Sequence, residues 1–240
     1  MSIRERNKFK QILKLRDNVQ SRPKLLKFKK KKWYSFLKFY LNKLKNFRKF
    51  KAIDQSKYFV TRYGTRNVSY NKRFKITLQT AKKFRIFYGN LLKRNLKKKI
   101  KLLLEKEVHS KIAVKREKLF LQFFESRLDT VLYRAKFAPT IRSAQQLILH
   151  GQIYVNQVKV KNKGYDLKSG DLISASFNNL NLYENHVINS TKWTIPPKYF
   201  LVNYRILQIL FLGDVGSYNL ANEFPFNLRI QKILNHYYRQ

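Results

Sequence analysis

The chain has 240 residues, with 53 Lys plus Arg against 13 Asp plus Glu, a formal net charge of +40 and no cysteine. Disulfides and thiolate zinc sites are thereby excluded, and so large a charge destabilises a compact state unless a polyanion neutralises it. Nucleic acid fits best: the cations are spread along the length rather than gathered into one polybasic tail, as a membrane surface would favour.

In chain order, residues 1–21 are polar and basic and are expected to be poorly ordered without a partner. They contain no apolar stretch of secretory-signal type, and Glu5 and Asp17 argue against a cleavable mitochondrial presequence. Residues 22–51 interleave lysines with aromatics. Trp33, Phe36, Leu37, Tyr40, Leu41 and Leu44 recur at helical spacing, which predicts a helix with one apolar stripe and a cationic back. Residues 52–75 read as irregular, with a turn or extended loop at 62–67. Helical character returns from Leu78 to a stop at Gly89-Asn90. Leu92, Leu96, Ile100, Leu103 and Leu104 then predict one or two amphipathic helices before residue 125.

Residues 125–171 are the most ordered in pattern. Leu128, Val131, Leu132 and Ala135 line one helical face. Pro139 interrupts, and Thr140 is placed to cap a second helix whose buried side is Ile141, Ala144, Leu147 and Ile148. Gly151 suits a left-handed helix stop. Ile153/Val155 and Val158/Val160 alternate as two short strands around Asn156-Gln157, and Lys168-Ser-Gly-Asp171 forms a second turn into Leu172-Ile173. Residues 176–192 are polar and Asn-rich, as an exposed excursion would be. Pro196-Pro197 marks a re-entry before an apolar run at 200–212 and a final helical pattern from Leu228 to Tyr238. That run is too short and too interrupted by polar residues to span a bilayer.

The order Arg127-Leu-Asp129, Tyr133-Arg134, Ala138-Pro-Thr-Ile-Arg142-Ser-Ala-Gln-Gln-Leu, His150-Gly-Gln-Ile-Tyr-Val-Asn156 and Lys168-Ser-Gly-Asp171 resembles the S4 RNA-binding domain. Its setting resembles more. Ala81-Lys-Lys-Phe-Arg-Ile-Phe-Tyr88-Gly89 is similar to the Lys-x-Lys-Leu-Arg-x-x-Tyr-Gly segment of the small-subunit ribosomal protein S4 family, and Pro196 to Arg239 is similar to that family's C-terminal return to its body. The resemblance covers roughly residues 78–240. It implies an α+β fold: a mostly helical basic body with an inserted S4 module of two short helices packed on a small β-hairpin sheet. The expected parts are a basic extension at 1–77, partly disordered without RNA, a helical body at 78–124, the S4 domain at 125–175, and an excursion with return at 176–240. It also implies direct, early binding to small-subunit rRNA, contact with neighbouring small-subunit proteins, and a position near the path by which mRNA enters. Two departures stand out: Asn156-Gln157 replaces the usual Asn-Gly turn, and Ser169 replaces a common Pro.

The candidate RNA face follows from helix chemistry. Thr140, Arg142, Ser143, Gln145 and Gln146 cluster at a helix start, where unpaired N–H groups and a partial positive charge suit phosphate. Arg127 and Arg134, seven apart, are expected on a similar side of the first helix. Asp129 reads as a structural partner for a nearby arginine, and His150 either closes its helix or touches RNA. Tyr133 and Tyr154 fit a core or a stacking platform equally. Lys159 and Lys168 on the hairpin and turn, and Lys82, Lys83, Arg85 and Tyr88 from the family segment, complete the set.

Catalysis finds no footing. Glu105 and Glu107 lie on opposite helix faces, the four histidines lack metal-ligand spacing, and Gly213-Asp-Val-Gly216 lacks a phosphate loop's lysine. No cofactor, metal or membrane partner is expected. The competing readings are an S4-domain RNA-modifying enzyme of pseudouridine-synthase type and a free ribosome-rescue factor. The Lys/Asn/Ile/Phe-rich composition suggests an AT-biased, organelle-encoded source, with the mitochondrion favoured and a plastid or AT-rich bacterium left open.

Overall fold

The computed structural model describes residues 8–20, 29–48, 69–109, 116–176, 183, 196–213, 215, 224, 226, 228 and 230–238. The expected loop at 62–67 and nearly all of the Asn-rich stretch lie outside them. The chain forms two compact units, Met1–Phe87 with Ala221–Gln240 and Tyr88–Leu220.

The first unit contains α1 (Lys8–Leu15), α2 (Lys31–Arg48), α3 (Tyr70–Phe87) and a C-terminal helix, Ile230–Tyr238. The first part of the predicted stripe on α2 is present: Trp33 and Phe36 are buried with Ile12 of α1, and Leu13 and Leu37 pack on that cluster, whereas Leu41 is exposed and the side chain of Leu44 lies outside the described residues. Within residues 8–20, Ile12, Leu15 and Val19 are buried, and Ile12 with Leu13 supplies apolar partners to α2. Helix α3 begins earlier than its Leu78 prediction. Its first turns expose Tyr70, Phe74 and Ile76, so burial gave no periodic signal there. The C-terminal half buries Phe84, Ile86 and Phe87. It packs on the C-terminal helix, which buries Ile233, Leu234 and Tyr237. Phe87 meets Phe224 and Phe226.

The second unit starts at Tyr88 and holds α4 (Lys93–His109), α5 (Arg116–Glu125), α6 (Leu128–Arg134) and α7 (Ile141–Leu149). One face of α4 buries Leu96, Ile100 and Leu103, and α5 buries Phe120, Leu121 and Phe124. Every apolar position predicted for α6 is buried, and α6 packs on α7. Both short helices end in the same way. The N–H two residues past each helix's C-cap bonds back over the last turn: Phe137 to the Leu132 carbonyl at 3.0 Å and Gln152 to the Leu147 carbonyl at 3.1 Å. Gly151 takes the left-handed position after α7 at φ 67°, whereas Lys136 occupies it after α6. A side chain there costs about 1 kcal/mol.

The sheet is larger than a hairpin. Its antiparallel order is β2-β1-β3-β5-β4, from β1 (Ile153–Val155), β2 (Val158–Lys159), β3 (Leu172–Ala175), β4 (Phe200–Asn203) and β5 (Gln208–Phe211). Within residues 200–211, β5 pairs with β3 and β4 pairs with β5, so this apolar run joins the sheet. One sheet face buries Ile153, Val155, Ile173, Ala175, Ile209, Phe211 and Phe200. The other carries apolar residues as well, with Leu201 and Leu210 exposed and side by side. Apolar residues on both faces erase the period-2 alternation, so the run at 200–212 gave no strand signal.

The β1–β2 turn adopts positive φ at both Asn156 (49°) and Gln157 (68°), so glutamine is accommodated where the family pattern has glycine. Asn156 does more than turn the chain. Its amide donates to Asp171 at 3.0 Å and its oxygen accepts the Leu172 N–H at 2.9 Å, while Asp171 accepts the Lys168 N–H at 2.8 Å. The two predicted turns are thus tied together.

Candidate nucleic-acid interface

Glu125, at the end of α5, is fully buried. Arg134 of α6 reaches it through two N–H donors at 3.0 and 2.8 Å, and the hydroxyls of Tyr88 and Tyr199 donate to it at 2.5 and 2.8 Å. Burial alone would push the Glu125 carboxyl up. The Arg134 guanidinium beside it, with the hydrogen bonds from Arg134, Tyr88 and Tyr199, outweighs burial and holds it below the usual carboxylate range. Burial and then the Glu125 charge push the Tyr88 hydroxyl well above its ordinary value. Two of the candidate RNA ligands, Tyr88 and Arg134, are therefore buried inside the second unit, with their polar groups bonded to Glu125.

Arg127 behaves differently from Arg134. It is the N-cap of α6 with extended backbone (φ −78°, ψ 139°), so helical periodicity does not reach it and the two arginines do not share a side. Its guanidinium forks onto Asp129 at 3.0 and 2.7 Å, as the Asp129 reading expected. Asp129 also accepts the Gln145 amide at 2.7 Å. This Arg127–Asp129–Gln145 chain joins the beginnings of α6 and α7. Gly89 closes it from the other side: at φ 74° a side chain would be strained, and a Cβ would sit 2.5 Å from Gln145 Nε2.

The start of α7 is built as the sequence suggests. Thr140 is extended (φ −150°, ψ 153°) and its hydroxyl accepts the Ser143 N–H at 3.2 Å. Arg142 and Ser143 are half-buried at the surface and Gln146 is exposed. At the far end, His150 is the C-cap and is exposed, and the stem of Lys159 crosses Gly151 beside it. Lys168 is exposed on its turn. Tyr133 and Tyr154 are half-buried.

On α3, Lys82, Lys83 and Arg85 are all half-buried. Lys83 forms an ion pair with Asp17, and Arg85 bonds the Tyr237 hydroxyl. Both therefore have structural partners in the first unit.

A cationic surface escaped the sequence reading. Helix α4 exposes Lys93, Arg94, Lys97, Lys98 and Lys101 opposite its buried Leu96, Ile100 and Leu103. Its signal in the sequence is Lys97-Lys-Lys-Ile-Lys101, which overlaps the apolar period that predicts packing. Among the described residues no helix is long and apolar enough to cross a membrane, and no group of three or more His, Asp or Glu is placed to hold a metal ion.

Paired short helices, a capped second-helix start and an antiparallel sheet define an S4-type RNA-binding module, and the family model described as the S4 domain matches residues 126–173. The likeness extends well past that module. Small ribosomal subunit protein uS4m of Marchantia polymorpha is 36% identical over 159 residues, spanning 65% of this chain and 74% of that protein. Small ribosomal subunit protein uS4 of Brucella anthropi is 30% identical over 173 residues, spanning 72% and 69%. The corresponding protein of Novosphingobium aromaticivorans is 29% identical over 174 residues, spanning 72% and 70%. The chain belongs to the uS4 family of small-ribosomal-subunit proteins. These relatives are ribosomal proteins and not enzymes, which removes the RNA-modifying reading.

Proposed function

We infer that the chain is a structural component of the mitochondrial small ribosomal subunit that binds small-subunit rRNA directly. The observation that carries this reading is the likeness to uS4 and uS4m proteins along most of the chain, joined to an S4 module whose polar helix start faces outward. Thr140, Arg142, Ser143 and Gln146 meet phosphates at the start of α7, while Arg127 and Gln145 hold that edge in place through Asp129. His150 and Lys159 continue the surface past the end of α7, and Lys168 adds an exposed cation on its own turn. The lysine face of α4 adds sequence-independent contacts. Lys82, Lys83 and Arg85 present a further basic edge from the first unit, in addition to their internal partners.

In this reading the protein joins early, helps nucleate folding of the rRNA, and sits near the side where mRNA enters, beside other small-subunit proteins. A gradient of organelle lysate tests it. The full chain should migrate with small subunits and move to the top after ribonuclease; migration with free protein before ribonuclease treatment would refute it.

A further inference from the structure

A cleft of about 620 Å³ opens in the second unit between α4, α5 and the turns at 166–169 and 211–213. Nothing in the S4 module's helix-start site reaches it. Its wall combines an aromatic ring, Phe123, with exposed Leu102 and the polar side chains of Gln122, Asp166 and Lys168. The side chains of Gln122 and Lys168 have no hydrogen-bond partner among the described residues. Lys99 lies across the opening: its ammonium is 5.3 Å from the centre of the Phe123 ring and 2.9 Å from Asp166.

We propose that this cleft receives a single unstacked nucleotide of the bound RNA. A base has a flat apolar face that matches Phe123 and Leu102, and stacking on an aromatic ring tolerates any base. Lys99 has to leave the ring, but it gives up only an exposed ion pair and an exposed cation–π contact, each individually weak. It then moves to the nucleotide's phosphate, where Lys168 meets it from the opposite turn. Asp166, half exposed, accepts from an exocyclic amine or a 2′-hydroxyl, and Gln122 bonds the base edge. The lysine face of α4 runs up to the cleft and carries the strand to it. A neighbouring protein's peptide is the other conceivable occupant, but two lysines at the rim of a +40 chain favour a polyanion.

The inference rests on the rRNA-binding reading and is tested so that the two can fail separately. The full chain is bound to a transcript of the small-subunit rRNA, irradiated with ultraviolet light and digested with trypsin. A nucleotide adduct is expected in residues 119–127. Phe123→Leu, which keeps apolar bulk and should keep the unfolding midpoint, should abolish the adduct and weaken binding roughly fivefold or more. Lys168→Ala, at an exposed turn, should lower the salt slope of binding by about 1. Tight rRNA binding with no adduct in that peptide, and unchanged affinity in both variants, would overturn the cleft assignment and leave the rRNA reading standing. Cross-linking of that peptide to a neighbouring protein in isolated small subunits, with no nucleotide attached, would also overturn it. Failure to prefer rRNA over random RNA would overturn both.

Discussion

Glu125 accepts four hydrogen bonds in a fully buried position, two of them from one guanidinium. Removing one partner of such a pair leaves the other charge uncompensated, at a cost of about 3–5 kcal/mol. Glu125→Gln should therefore lower the unfolding free energy of the second unit by that amount. Tyr88→Phe deletes one hydrogen bond to a charged acceptor and should cost about 1.5–3 kcal/mol. The sign of the pH dependence follows from the same contacts. Because the folded Glu125 carboxyl lies below its ordinary 4.5, its contribution is complete above that pH and is lost as pH falls beneath it. The Tyr88 hydroxyl is raised, so its contribution holds below its ordinary 10.0 and fades as pH climbs past that value. Denaturant unfolding of wild type and Glu125→Gln at a series of pH values checks this: the variant should lose most of the wild type's acid-side slope. Little of this was legible from sequence. The Asp129–Arg127 pairing was, because the partners are two residues apart. Tyr199 is 74 residues from Glu125, and no local pattern could reveal that Arg134 turns inward to complete the cluster.

Helix α7 was the most readable element, because its signals are local: a proline break, a threonine cap, an apolar face and a glycine stop, all where the structure has them. At its start, Thr140 should serve both stability and binding, and Arg142 chiefly binding. Thr140→Ala loses the cap to Ser143 and should destabilise by about 1 kcal/mol. Arg142→Ala should leave the unfolding midpoint nearly unchanged and weaken rRNA binding. If Arg142→Ala binds as tightly as wild type, the helix-start site has no part in recognition. Strands β4 and β5 stand at the opposite extreme. β5 pairs with β3 across a long intervening segment and β4 pairs with β5, and their exposed leucines hide the alternation. The cationic face of α4 was hidden for another reason. A buried stripe and a basic back interleave along the same stretch of α4, and the stripe's period predicts packing without marking the back as a binding face.

At the scale of the molecule, the account joins a +40 chain to a polyanion that neutralises it. Nonspecific attraction would follow from that charge alone, so affinity by itself decides little. What distinguishes this protein is a module with a defined edge, placed within a chain related along most of its length to uS4 proteins. The most direct measurement is titration of the full chain against a transcript of its small-subunit rRNA and against unrelated RNA of equal length, over a range of salt. Both affinities should fall with salt, by about 10³–10⁵ between about 50 and 200 mM if six to ten phosphates are contacted. The rRNA should stay the tighter ligand throughout. Equal affinity for the two RNAs at every salt concentration would contradict the account.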